Sequence, residues 1–226
     1  SNGVYDDKIK IEWDNAQNAT HVKVWRNTTT NVNTAVPLST IWTSLSYKLD
    51  YDVEPGVTYF YWTKSARSST GLKASPNYSS YKSGYVALSN APVVIASDGE
   101  FTDKIEVSWN AVNGASHYRL FGSYENNPEN SNSITVWSTA TSYTDGSAQR
   151  GVYRYYWVKA STSAAGDNAT GYGPVDAGWR KLETVQNVQA ADGTSTDHIQ
   201  ITWNNQPYAD YYRVYRHNNY FYEQSI

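Results

Sequence analysis

Asp7–Trp13 reads DKIKIEW, Asp103–Trp109 reads DKIEVSW and Asp197–Trp203 reads DHIQITW. Trp13 and Trp109 stand 96 residues apart, and Trp109 and Trp203 stand 94 apart. One phrase written three times at this spacing rules out a single large core and demands a row of similar units, each of ordinary domain size. Within the phrase Ile9, Ile11 and Trp13 alternate with Lys8, Lys10 and Glu12. Ile105, Val107, Trp109 and Ile199, Ile201, Trp203 repeat that alternation. A period of two with one polar face is a half-buried antiparallel strand.

A second alternating run follows at constant spacing: His21–Trp25, His117–Phe121 and Tyr211–Tyr215. Its core positions are Val22/Val24, Tyr118/Leu120 and Tyr212/Val214. Asp98-Gly99 and Asp192-Gly193 precede the phrase as turns. Further along, Trp42 and Trp62 are 20 residues apart, as are Trp137 and Trp157, and Asp50–Gly56 aligns with Asp145–Gly151 without a gap. A long strand over 57–64 then matches one over 152–159, and Gly71 and Gly166 each turn into a last strand. No segment carries a helical period. Short strands with regular turn punctuation predict an all-β chain of β-sandwiches.

Composition narrows the chemistry. With no cysteine there is no disulfide, thiolate nucleophile or thiolate metal site, so each unit must be held by its core. The absence of methionine, even at position 1, points to a processed or excised piece. Eighteen basic against 21 acidic residues leave no electrostatic footprint for nucleic acid. No apolar run is long enough to insert in a membrane as a helix. The aromatic residues are 21 Tyr and 9 Trp against only 4 Phe, a mixture suited to half-exposed strand faces. Sparse lysine among abundant Ser, Thr, Asn and Gly suits an extracellular or cell-surface setting.

In the units an Asp-Gly turn (Asn2-Gly3 in the first) and a strand ending in Trp lead to a second strand such as Ala-Ser-His-Tyr-Arg-Leu (115–120). A long strand, Gly-Val-Tyr-Arg-Tyr-Tyr-Trp-Val-Lys-Ala (151–160), then reaches a Gly turn. This order resembles tandem fibronectin type III-like domains of secreted bacterial proteins, whose repeats often finish on an Asp-x-Gly-aromatic-Arg run. Asp176-Ala177-Gly178-Trp179-Arg180 matches that ending, and Ser83-Gly84-Tyr85 keeps part of it. The resemblance implies tandem immunoglobulin-like (fibronectin type III-like) sandwiches with the third repeat incomplete; it specifies function hardly at all. It also implies a tyrosine three residues after the Gly that opens the long strand, its hydroxyl tying down the adjoining loop. Tyr59 fits. Arg154 stands there in the second repeat, so that corner must be held differently, through Arg154 or Tyr153.

The resemblance further asks for a strand before each Asp-Gly turn. Residues 92–96 and 185–189 supply it for repeats two and three, whereas repeat one begins at its turn, Ser1-Asn2-Gly3. Domains are therefore expected at 1–88 (lacking its first strand), 89–182 (complete) and 183–226 (the first half of a third). Two arrangements account for the ends: a fragment of a longer array, or strand exchange in which a neighbouring chain completes the half-domain. The linkers at 87–90 and 182–184 are short and free of Gly, which predicts limited freedom between domains.

Candidate sites are few. His21 and His117 share a repeat position where the third repeat has Tyr211, and no carboxylate pair accompanies them; with His198 and His217 they read as surface residues. No Gly-x-Ser-x-Gly elbow is present. Asp98/Asp103 and Asp192/Asp197 flank turns and read as turn chemistry rather than a calcium site. No catalytic, cofactor or metal residue is assigned, and no enzyme activity is expected. Asn18, Asn27, Asn77 and Asn168 are candidate glycosylation sites. On the long strand Tyr59, Tyr61 and Thr63 are expected to face inward and Phe60 and Trp62 outward, with Tyr155 and Trp157 matching them. That outward set, with Lys23 and Arg119 on the adjoining strand, is the candidate aromatic contact face. Trp62 over Lys23 and Trp157 over Arg119 are expected as cation–π pairs. The expected role is architectural: a filament subunit, adhesin stalk or spacer whose partners are copies of itself or neighbouring repeats. The alternative is a glycan-binding accessory region of a secreted glycan-degrading enzyme.

Overall fold

A computed structural model describes residues 1–217; residues 218–226, the end of the third expected domain, lie outside the described residues. The first unit contains strands β1 (Ile9–Glu12), β2 (His21–Asn27), β3 (Val36–Pro37), β4 (Tyr47–Asp50), β5 (Tyr59–Ala66) and β6 (Lys82–Gly84). The second contains β7 (Val94–Ala96), β8 (Ile105–Trp109), β9 (His117–Ser123), β10 (Asn132–Ser133), β11 (Ser142–Asp145), β12 (Arg154–Ser161) and β13 (Asp176–Gly178). The third shows β14 (Gln189–Ala190) and β15 (Ile201–Thr202).

Domain 2 displays the complete architecture. A three-stranded sheet, β11-β8-β7, faces a four-stranded sheet, β10-β9-β12-β13, and every pairing is antiparallel. The alternation read from the phrase is what joins them. Ile105, Val107 and Trp109 are buried while Glu106 and Ser108 are exposed, and they meet Leu120, Tyr156 and Val158 from the opposite sheet in one apolar core. Each such side chain withdrawn from water contributes roughly 1.5–3 kcal/mol. Domain 1 repeats the four-stranded sheet as β3-β2-β5-β6 and pairs β1 with β4, around a core of Ile9, Ile11, Val24, Tyr59, Tyr61 and Val86. Leu88 packs into the core of domain 2.

β14 and β15 keep the register of domain 2: Ala190 opposes Ile201 as Ala96 opposes Val107. Their apolar face is uncovered. Ile199 and Ile201 are 67% and 37% exposed, where Ile105 and Val107 are 0% and 1%.

The Asp-Gly turn laces the two ends of a domain together rather than closing a hairpin. Gly99 N–H donates to Trp179 O at 2.8 Å and Trp179 N–H to Ser97 O at 3.2 Å, so the turn after β7 runs parallel to the end of β13. Gly99 takes a left-handed φ of +66°, and the Trp179 ring lies where a side chain would project. Only glycine satisfies both conditions. Gly3 and Tyr85 repeat the contact in domain 1. The arginine that closes the Asp-x-Gly-aromatic-Arg run has a local task. Arg180, largely buried, donates to the carbonyls of Thr102, Gly146 and Ala148 and so pins two loops.

The domains touch through one recurring joint. Gly56, in the loop before β5, packs so tightly on Gly114, in the turn after β8, that a methyl group on either would overlap the other loop's backbone. One repeat on, Gly151 lies against Leu182 and the Tyr208 carbonyl. Residues 18, 114 and 208 are equivalent, and Asn18, Gly114 and Tyr208 all adopt positive φ, so this turn is held even where the residue is a tyrosine. Arg150 Nη2 also pairs with Glu183 Oε1 of the second linker at 2.6 Å.

Candidate functional site

The outer face of each four-stranded sheet is aromatic because alternation on the two central strands sends their bulky residues there. In domain 1 Trp25 opposes Trp62 and Lys23 opposes Lys64; in domain 2 Phe121 opposes Trp157 and Arg119 opposes Lys159. Trp25 meets Trp42 and Tyr78 edge-on at ring separations of 6.0 and 5.2 Å, and Tyr81 meets Phe60 and Trp62 at 5.4 and 6.0 Å. In domain 2 Phe121 meets Tyr172 at 5.1 Å and Tyr155 stacks with Trp157. Such pairs are worth about 0.5–1.5 kcal/mol each beyond the area they bury.

Two expectations about this face are corrected. Trp62 and Trp157 do lie on the Phe60 and Tyr155 side of the sheet, yet only 4% and 3% of their surface is exposed. Neighbouring rings cover them, so facing outward is not the same as being open to a ligand. The Lys23–Trp62 and Arg119–Trp157 pairs do not form. Register sets cation opposite cation, and like charges opposite one another turn aside to other rings. Lys23 Nζ lies 5.7 Å from the Trp25 ring and Lys64 Nζ 4.4 Å from Tyr78. Arg119 lies 5.6 Å from Phe121, and Lys159 Nζ 3.8 Å from Tyr172. Sequence reasoning missed Trp25, Trp42, Tyr78, Tyr81, Phe121 and Tyr172 as members of the face; for Trp42 its recurrence as Trp137 at a fixed offset was the available signal.

At one end of each sandwich sits a buried polar corner. In domain 1 Asp50, nearly fully buried, accepts from Tyr61 Oη at 2.9 Å and from Arg26 Nη1 at 2.9 Å. Tyr59 Oη accepts the Glu54 N–H at 3.1 Å, the tie implied by the resemblance. In domain 2 Asp145 accepts from Tyr156 Oη at 2.7 Å, from Arg154 Nη1 at 2.9 Å and from Ser147. The loop amide equivalent to Glu54, Gln149 N–H, is accepted by Tyr124 Oη at 3.0 Å. Arg154 stacks on the Tyr124 ring at 5.5 Å. The corner of the second repeat is therefore held through Arg154, together with Tyr124 rather than Tyr153, which is exposed and packs on Trp179.

Burial, and then the facing carboxylate, push the phenols of Tyr61 and Tyr156 well above the ordinary tyrosine range. Burial also pushes Asp145 upward, but the hydrogen bonds from Tyr156 and Ser147 and the Arg154 charge outweigh it and hold the carboxyl below its usual value. These groups are matched to one another and support the fold.

The sequons differ in how free their amides are. Asn18 and Asn77 are exposed. Asn27 donates to Asn31 O and Thr34 Oγ1, both at 2.7 Å, and so builds the β2–β3 loop. Asn168, at φ +53°, donates to Thr162 Oγ1 at 3.2 Å. His21 and His117 each hold the preceding hydroxyl, Thr20 and Ser116, at 2.9 and 2.8 Å. Both are half-buried, whereas His198 and His217 are exposed. His198 pairs with Asp197 at 2.7 Å. Among the described residues no cluster of three or more His, Cys, Asp or Glu is arranged to hold a metal ion, and no helix is long and apolar enough to cross a membrane.

No family profile and no curated protein matches the chain. Among solved structures it is similar to a Fn3-like protein from Clostridium thermocellum, at 25% identity over 43% of this chain and all of that one, with a TM-score of 0.37. It is also similar to a two-domain fibronectin type III segment of chicken tenascin (10% identity, 77% of this chain and 91% of that one, TM-score 0.48). A third is the FN1–FN3 segment of chicken CNTN1 (13% identity, 89% and 64%, TM-score 0.33). The tandem β-sandwich architecture rests on the strand order, register and cores of this chain itself.

Proposed function

We propose that the chain is a structural repeat region of an extracellular or cell-surface protein, a spacer, adhesin stalk or filament subunit that works through domain–domain and chain–chain contacts. The observation that carries this reading is the recurring joint, Gly56 on Gly114 and then Gly151 beside Tyr208. At Gly56 and Gly114 the joint has no room for a side chain, and such a contact limits relative rotation, which is what a spacer needs and a flexible tether does not. The two polar corners and the shielded aromatic faces support the reading, because their chemistry is spent inside each domain.

NMR relaxation on the 226-residue chain tests it. Domains 1 and 2 should tumble as one body, and Gly114→Leu should release them into independent tumbling with each domain still folded. Independent tumbling of the unaltered chain would overturn the spacer reading. Sedimentation at rising concentration separates its forms: a growing mass supports a filament subunit, and an unchanged mass restricts the role to spacer or stalk.

A further inference from the structure

The hairpin loops β2–β3 and β9–β10 have the same length, each with a three-residue 3-10 turn at the same place, so residues 26–36 and 122–132 correspond one to one. In domain 1 Arg26 fills the ground between this hairpin and β5, reaching Asp50 and Asp52 and stacking 5.1 Å from the Tyr59 ring. In domain 2 that position is Gly122. Its φ is not in the left-handed region, so the backbone does not require glycine there. The Ile134 side chain takes the space into which a side chain at Gly122 would project, and beside it lies a cavity of about 350 Å³ lined by Gly122, Arg154, Ser123, Tyr124, Asn130 and Asn132. Asn130 and Asn132 replace Thr34 and Val36, so the wall is more polar.

From this geometry we infer that the cleft of domain 2 binds a neutral, hydroxyl-rich ring, a single pyranose unit of a glycan. Its volume lies at the low end of small-ligand sites, roughly 300–1,000 Å³. Charge selects against an anion: Arg154 is already matched to the buried Asp145, and Glu125, also on the rim, contributes a carboxylate held by Asn130 Nδ2 at 2.7 Å. What remains is a set of amides and hydroxyls, which both donate and accept as sugar hydroxyls do. The exposed face of Tyr124 supplies an apolar surface at the rim. The site is independent of the spacer role, and domain 1, with Arg26 in place, serves as the internal control.

The test is an amide chemical-shift titration of the full chain with methyl β-glucopyranoside, methyl α-mannopyranoside and methyl N-acetyl-β-glucosaminide. At least one should shift Gly122, Ser123, Asn130 and Asn132 selectively, with a dissociation constant on the order of millimolar, the reach of one ring. The double variant Asn130→Thr/Asn132→Val installs the domain 1 residues at exposed positions and should weaken that binding about tenfold or more, a loss of about 1.4 kcal/mol, with spectral dispersion retained. No selective shift at about 50 mM of any of the three, well above that constant, overturns the proposal. So do shifts centred elsewhere, or unchanged binding by the double variant.

Discussion

In domain 1 the arginine of the buried corner comes from β2, as Arg26, and the tyrosine that ties the loop comes from β5, as Tyr59. In domain 2 the arginine comes from β12, as Arg154, and the tyrosine from the loop after β9, as Tyr124. Both corners deliver a guanidinium to the buried aspartate and a phenol oxygen to the loop amide. The two residue types have exchanged places between the paired central strands. What the fold requires at this corner is a charge and an acceptor at two points in space, and either neighbouring strand can supply each. A single substitution breaks the set, whereas a paired exchange keeps it. The exchange also has a by-product: once Arg154 serves Asp145, position 122 need not be an arginine, and Gly122 stands there at the edge of the domain 2 cleft.

The largest expected effect comes from removing the cation. Arg154→Ala leaves Asp145 buried beside only hydroxyl and amide donors and should cost domain 2 about 3 kcal/mol. Residue-resolved hydrogen exchange in urea reads this, with domain 1 unchanged; equal losses in both domains would show that the corners are not independent. The same aspartate gives the comparison a pH axis. Its pKa is depressed in the folded state, so its contribution is fully present above the unfolded value of about 4 and is lost as pH falls through the folded value. Domain 2 should therefore weaken on acidification below about pH 4, and Asp145→Asn should remove that part of the slope while lowering stability at neutral pH. Smaller effects follow from the loop ties. Tyr59→Phe and Tyr124→Phe each leave one loop N–H without its acceptor and should cost about 1 kcal/mol in their own domains. A loss in domain 1 with none in domain 2 would break the equivalence of the two tyrosines.

The strands, their inward faces and the three-fold repeat were legible because a period of two and a fixed offset are local signals. Ile105, Val107 and Leu120 needed nothing else. The outer face was only half legible. Alternation sends Trp62 and Trp157 outward correctly, but their exposure depends on rings from other segments, Tyr81 among them, that no local period brings together. The tyrosine tie at Tyr59 was legible through the family resemblance, and Arg154 could be flagged as a departure. The replacement of that tie by Tyr124, thirty residues upstream of Arg154 and just past the end of β9, could not be found, because the contact is made from a position that does not tie the loop in the other repeat.

The lacing of the Asp-Gly turn to the end of the domain has a mechanical consequence. In domain 2 the chain enters near β7 and leaves after β13, and those two segments lie side by side and parallel, joined at Gly99, Ser97 and Trp179 and, a little further on, by Lys181 N–H to Phe101 O at 2.9 Å. A pull on the two ends of the domain slides these segments past one another, so the bonds between them are loaded together in shear rather than opened one at a time. Resistance to stretching is thus set where load enters and leaves the domain, before tension reaches its core.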